Sequence, residues 1–169
     1  DSAGTKVINY FHQGNSTNSS QGEYSDHISK AGKIYRTEVT DSSGNIYQKV
    51  INKWDKYNQG TDRDFVKLTR KTILTYDGDG DHKDVATEYV HSDTYGNITT
   101  KTMWGEVNAS DDGSFTDTGS DKAVETISYT ANTTDWIVGL PYQNTLVDQG
   151  SAKVRETKTY YDGQPLGTV

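Results

Sequence analysis

The sequence predicts an all-β chain in which antiparallel β-hairpins build a twisted sheet or an open sandwich. Three observations carry this expectation. Apolar residues alternate with a period of two along most of the chain, and helical spacing is almost absent. The alternating runs are rich in Thr, Val, Ile and Tyr, which suit a pleated and half-buried surface. Between the runs stand Gly-Asn and Asp-Gly pairs, where a positive φ costs little and a chain reverses tightly.

The elements follow in order. Residues 5–11 place Lys6, Ile8 and Tyr10 on one face and Val7, Asn9 and Phe11 on the other. Residues 33–40 alternate weakly through Tyr35, Thr37 and Val39, and residues 46–54 align Ile46, Val50 and Trp54. Residues 65–76 form a full strand with Val66, Leu68, Leu74 and Tyr76 in register. Runs over 85–91, 98–104, 123–130 and 153–161 continue the pattern, so eight or nine strands are expected. The β-branched and Gly content of 55–68 makes a helix there the minority reading. The stretches 14–29 and 108–121, rich in Asn, Ser, Asp and Gly, read as surface loops. Neither is long enough for a linker, so one all-β domain over 1–169 is expected.

Composition narrows the function classes. The 169 residues are only 31% hydrophobic, but 12 Tyr, 3 Trp and 3 Phe supply apolar area that a disordered polar tract lacks. A net charge of −7, with no run of Lys or Arg, opposes a nucleic-acid partner. No stretch approaches the roughly 20 apolar residues of a membrane span. The absence of Cys removes disulfides, thiolate-bound metals and thiol nucleophiles together. No charged-then-apolar leader occupies residues 1–20, so a mature chain or a segment cut from a longer one is expected.

An internal repeat is the most informative feature. Asp41-Ser42-Ser43-Gly44-Asn45-Ile46 leads into a strand ending in Trp54, and Asp93-Thr94-Tyr95-Gly96-Asn97-Ile98 leads into a strand ending in Trp104. Such repetition grows a sheet by adding hairpins. With Tyr76-Asp77 and Tyr161-Asp162-Gly163, these turns resemble Rhs/YD-repeat proteins. Tyr10-Phe11-His12-Gln13-Gly14, the run from Gly32 to Asp41, and Gly44-Asn45 are similar to the B-component of bacterial insecticidal toxin complexes and its SpvB-like relatives. Thr134-Asp135-Trp136-Ile137-Val138-Gly139-Leu140-Pro141 and the run from Glu156 to Gly163 extend the likeness over nearly the whole chain.

The resemblance implies a secreted or cell-surface bacterial protein in which hairpin strips form a shell or wall. Its partners would be neighbouring repeats of the same parent protein, with an enclosed polypeptide or a surface glycan beyond them. The chain lacks the Asp-Pro-Gly-type signature of that family's self-cleaving core, and Pro stands only at 141 and 165. Autoproteolysis is therefore not carried over.

Candidate chemistry is sparse, and no catalytic residue is assigned. Asp77, Asp79, Asp81 and Glu88 occupy the first, third, fifth and twelfth positions of a calcium-loop spacing. His82 stands where that loop needs Gly, Asp84 stands where it needs an apolar residue, and the flanks are strands. The plain reading is a solvated acidic turn. His12, His27, His82 and His91 form no zinc-binding pattern, and His12 is expected to make a satisfied hydrogen bond near a sheet end. No G-x-S-x-G elbow lifts a Ser out of the sheet. Trp54, Trp104, Trp136 and the tyrosines are candidates for a sugar-stacking platform, although the repeat makes Trp54 and Trp104 core anchors. The expected function is a non-catalytic structural β module without a cofactor. The alternative is a calcium-stabilised adhesin or carbohydrate-binding module, and thermal melting in calcium against chelator separates the two.

Overall fold

The computed structural model describes residues 4–15, 18–58, 64–78 and 80–169. Ten strands make up about half of the chain: β1 (Lys6–Phe11), β2 (Ile34–Thr40), β3 (Ile46–Asn58), β4 (Asp64–Tyr76), β5 (His82–His91), β6 (Ile98–Ala109), β7 (Phe115–Asp117), β8 (Ala123–Tyr129), β9 (Pro141–Val147) and β10 (Lys153–Lys158). Their hydrogen-bonded order is β1-β2-β3-β4-β5-β6-β8-β9-β10, with β7 paired to β6. This is one open antiparallel sheet, as the period-two pattern predicts. Among the described residues no helix is long and apolar enough to cross a membrane.

Several boundaries differ from the sequence reading. Strands β3 and β4 run through 55–58 and 64–68, where a helix was the minority expectation. Strand β7 lies inside the stretch read as a loop over 108–121, and β9 carried no period-two signal strong enough to name it. Alternation also slips within β4. Lys53 pairs with Arg70 and Trp54 with Leu68, so Thr69 bulges out and both Lys67 and Thr72 are buried.

The repeated turns are built as their sequence suggests, with different caps. In the first, Asp41 Oδ1 accepts from the amides of Ser43 and Asn45, and Gly44 takes φ +91°. In the second, Ser92 Oγ accepts from the amides of Thr94 and Tyr95, and Gly96 takes φ +77°.

The chain divides into two compact units. One comprises Asp1–Glu88 and Trp104–Gly119, the other Tyr89–Met103 and Ser120–Val169. Strands β5 and β6 contribute to both. Within β6, Gly105 takes φ +66°. Residues before it pair with β8 (Thr100–Met103) and residues after it pair with β7 (Val107–Ala109).

The core sits in the first unit. Ile51, Leu74, Ala86, Val107 and Ala109 are buried together, and Tyr76, Trp104 and Phe115 pack against them. Five residues, two of them Ala, make a small dry core, although a fully buried Leu or Ile is worth about 1.5–3 kcal/mol. Polar groups complete it: Arg36, Lys49, Thr72 and Asp84 are also buried. The β6–β7 hairpin lies over the faces of β3, β4 and β5. Thr72 Oγ1 donates to Gly113 O at 2.8 Å, and Ala109 N donates to Asp84 Oδ2 at 2.8 Å. The second unit has no buried apolar residue among those described; β8 and β9 are mostly half-buried and β10 is exposed throughout.

Close packing makes a direct prediction at Gly113. A Cβ there would lie 2.7 Å from Ile51 Cγ2, and φ is +79°, whereas a Cβ on Gly44 meets nothing within 4 Å. Gly44→Ala should cost about 1–2 kcal/mol of strain alone. Gly113→Ala should cost that plus about 1–3 kcal/mol of overpacking. Urea unfolding of the two variants checks the difference.

Candidate functional site

The acidic motif that sequence reading singled out falls at the β4–β5 turn. Asp77 and Asp81 are exposed there, and Asp79 lies outside the described residues. Glu88 is not brought to them. It sits on β5 six residues beyond His82 and opposite Arg70, about 20 Å along the strand at ~3.3 Å per residue. Its carboxylate instead accepts the Trp104 indole N–H at 3.0 Å. A twelve-residue calcium loop needs a helix or tight loop to fold its last ligand back, and an extended strand carries that ligand away. A cleft of about 620 Å³ at the turn is lined by Tyr76, Asp77, Asp81, His82, Lys83 and Glu106. Asp84, which the sequence marked only as a departure from the loop pattern, is the buried carboxylate of this region. His82 Nδ1 lies 2.6 Å from its Oδ1, and Ala109 N occupies its other oxygen.

The second cluster was hidden in the stretch read as a surface loop over 14–29. Here Glu23 and Lys30 are buried beside His12. Among the described residues, His12, Glu23 and Asp26 are the group whose ligand atoms lie within 4.8 Å of one another. Their chemistry argues against a metal. Asp26 Oδ1 accepts from His12 Nδ1 (3.0 Å) and His27 N (2.8 Å), while Oδ2 accepts from Gly14 N (2.7 Å) and Asn15 N (3.1 Å). Four donors fill the roughly four lone-pair sites of one carboxylate. Lys30, bonded to Ser25 O, adds a positive charge that opposes a cation. The cluster is a folding staple that ties the loop to the end of β1. His12 does make the expected hydrogen bond, though its Nε2 is buried without a partner.

A third network joins the loop at residues 110–114 to the sheet. Arg36 is buried; its Nε donates to Glu38 Oε1 at 2.7 Å and its Nη1 to Asp111 O at 2.9 Å. Lys49 Nζ pairs with Asp111 Oδ1, and the Tyr24 hydroxyl donates to Asp112 O at 2.8 Å. Burial acts to raise the Asp111 pKa, but the Lys49 hydrogen bond and the Arg36 charge outweigh it and hold the carboxyl below its usual range.

The three indoles separate cleanly. Trp54 Nε1 donates to Ile34 O at 2.8 Å, and Trp104 packs 5.6 Å from Phe115, so both are half-buried anchors of their strands as the repeat implies. Trp136 is 73% exposed.

The His12 cluster predicts a pH dependence. With the proton on Nδ1, charging the ring means placing a second N–H at Nε2, where no acceptor stands. Burial is the largest influence and lowers the His12 pKa, against the smaller opposing effect of Asp26. The unfolded chain, near the ordinary value of about 6.5, therefore binds the proton more readily than the folded one. Stability should fall as pH drops through about 6.5 and level off below the folded pKa. His12→Asn, whose amide can still donate to Asp26, should flatten that slope. Thermal midpoints between about pH 8 and pH 5 check both.

No protein-family model, no curated protein and no solved structure matches the chain.

Proposed function

We propose that the chain is a non-catalytic structural module, a section of a longer β-hairpin wall of the Rhs/YD-repeat kind in a secreted or cell-surface protein. The observation that supports this reading most is the open-edged meander. Strands follow one another in sequence order, and the order ends in β1 on one side and β10 on the other. Both end strands are exposed almost throughout, with Val7, Ile8 and Phe11 on β1 and Val154 on β10 among the exposed apolar residues. An isolated protein usually blunts such edges, because each presents unpaired N–H and C=O groups to any neighbouring strand. In a wall they are where the next hairpin adds. The lack of buried apolar residues in the second unit fits the same picture, since a section completes its packing only against further repeats.

The reading predicts edge-directed self-association of this chain. Sedimentation velocity should show a weight-average mass that rises with concentration. Joint Val7→Lys and Val154→Lys substitutions should restore a monomer, because charge on an edge strand opposes pairing. Both side chains are exposed, so folding should be unaffected. A wild-type chain that stays monomeric at every concentration contradicts the proposal.

A further inference from the structure

We propose that the second unit carries a binding site for a neutral saccharide, formed by Trp136, Tyr95 and the cavity beside Tyr95. The inference stands independently of the wall reading, because it rests on side chains rather than on sheet edges.

Trp136 is displayed by a turn built to hold it. Asn132 N donates to Ile137 O at 3.2 Å, and Ile137 N returns a bond to Asn132 O at 2.8 Å. Within that bridge Asn132 Oδ1 accepts from the amides of Thr134 and Asp135, both at 3.1 Å, and Asn132 Nδ2 donates to Asp135 Oδ2 at 3.0 Å. Trp136 takes φ +57°, a left-handed conformation that costs a non-Gly residue roughly 1–2 kcal/mol. The turn thus accepts backbone strain and leaves the largest apolar side chain in water. Strain held at an exposed aromatic side chain is a feature that recognition surfaces use.

A second ring completes a corner. Tyr95 meets Trp136 edge-on, with centroids 6.4 Å apart and planes at 88°. Tyr95 also lines a cavity of about 310 Å³ with Asn97, Thr99, Ile127, Tyr129 and Thr130. That volume is at the lower end of small-ligand clefts, about 300–1,000 Å³. Thr130 is 1% exposed, and its Oγ1 has no hydrogen-bond partner.

The ligand class follows from the lining. No Lys, Arg, Asp or Glu lines the cavity, which disfavours phosphates, nucleic acids and carboxylates. Hydroxyls and an amide suit a ligand with several hydroxyl groups. Two aromatic faces suit a ring whose C–H groups carry partial positive charge, because the face of an aromatic ring is electron-rich. A pyranose unit offers both.

The test is isothermal titration calorimetry with maltohexaose, cellohexaose and chitohexaose as separate probes, each followed in parallel by tryptophan fluorescence. At least one should bind with Kd below about 1 mM. Trp136→Ala and Tyr95→Ala should each weaken that binding about tenfold or more. Trp54→Phe, in the first unit, should leave it unchanged. Circular dichroism of the exposed-site variant Trp136→Ala and of Tyr95→Phe guards against loss of folding. Failure of all three probes to bind overturns the proposal. So does binding that survives Trp136→Ala, or a concentration-dependent burial of the Trp136 indole without any saccharide, which would assign the corner to protein contact.

Discussion

The turn at residues 110–114 is held on the sheet face of the first unit almost entirely by polar contacts, and the small core beneath it depends on that seating. Arg36, Lys49, Tyr24, Thr72 and Asp84 each hold a backbone or side-chain group of this turn or of Ala109. Gly113 lets the backbone approach Ile51 more closely than any Cβ would allow. Without this cover Ile51, Leu74 and Ala86 would face water. The buried charges depend on it equally, because a buried guanidinium or carboxylate stripped of one partner retains its full desolvation penalty. A chain only 31% hydrophobic can therefore fold around five buried apolar residues. Paired polar groups around Arg36, Lys49, Thr72 and Asp84 serve as the rest of that core.

This explains which features were legible in the sequence. Period-two runs marked β1 to β6, β8 and β10; in β2 to β6 and β8 a partly buried strand writes its pattern in every second residue, while β1 and β10 alternate although both are exposed. The repeated Gly-Asn turns were equally plain, since only a few residue types accept their φ. The loop at 14–29 and the turn at 110–114 were illegible for a common reason. Asp26, Glu23, Asp84 and Asp111 look like solvated acids, and only the amides and cations brought to them by the fold reveal them as structural. Asp77 and Asp81 present the opposite case. They have the spacing of ligands, but the register of β5 carries Glu88 away to Trp104.

The two units divide the labour that the lean composition suggested. The first closes a core around the β6–β7 hairpin, and the second presents half-buried strands, an exposed edge and a strained aromatic corner. Gly105 marks where β6 passes from one set of partners to the other. Of the three indoles, two finish strands of a repeat and one stands in water. The repeat in the sequence set Trp54 and Trp104 apart as anchors and left Trp136 outside it. In the structure Trp136 differs from both by its exposure, its positive φ and the perpendicular Tyr95.

Native-state hydrogen exchange at the Ala109 amide tests the dependence of the core on its polar cover most directly. If the turn at 110–114 is what closes the first unit, Ala109 N–H should exchange only through global unfolding of that unit, with the same opening free energy as the amides of Ile51 and Leu74. A markedly lower opening free energy at Ala109, with Ile51 and Leu74 still fully protected, would show that the hairpin lifts away while the core stays intact, and would contradict the account.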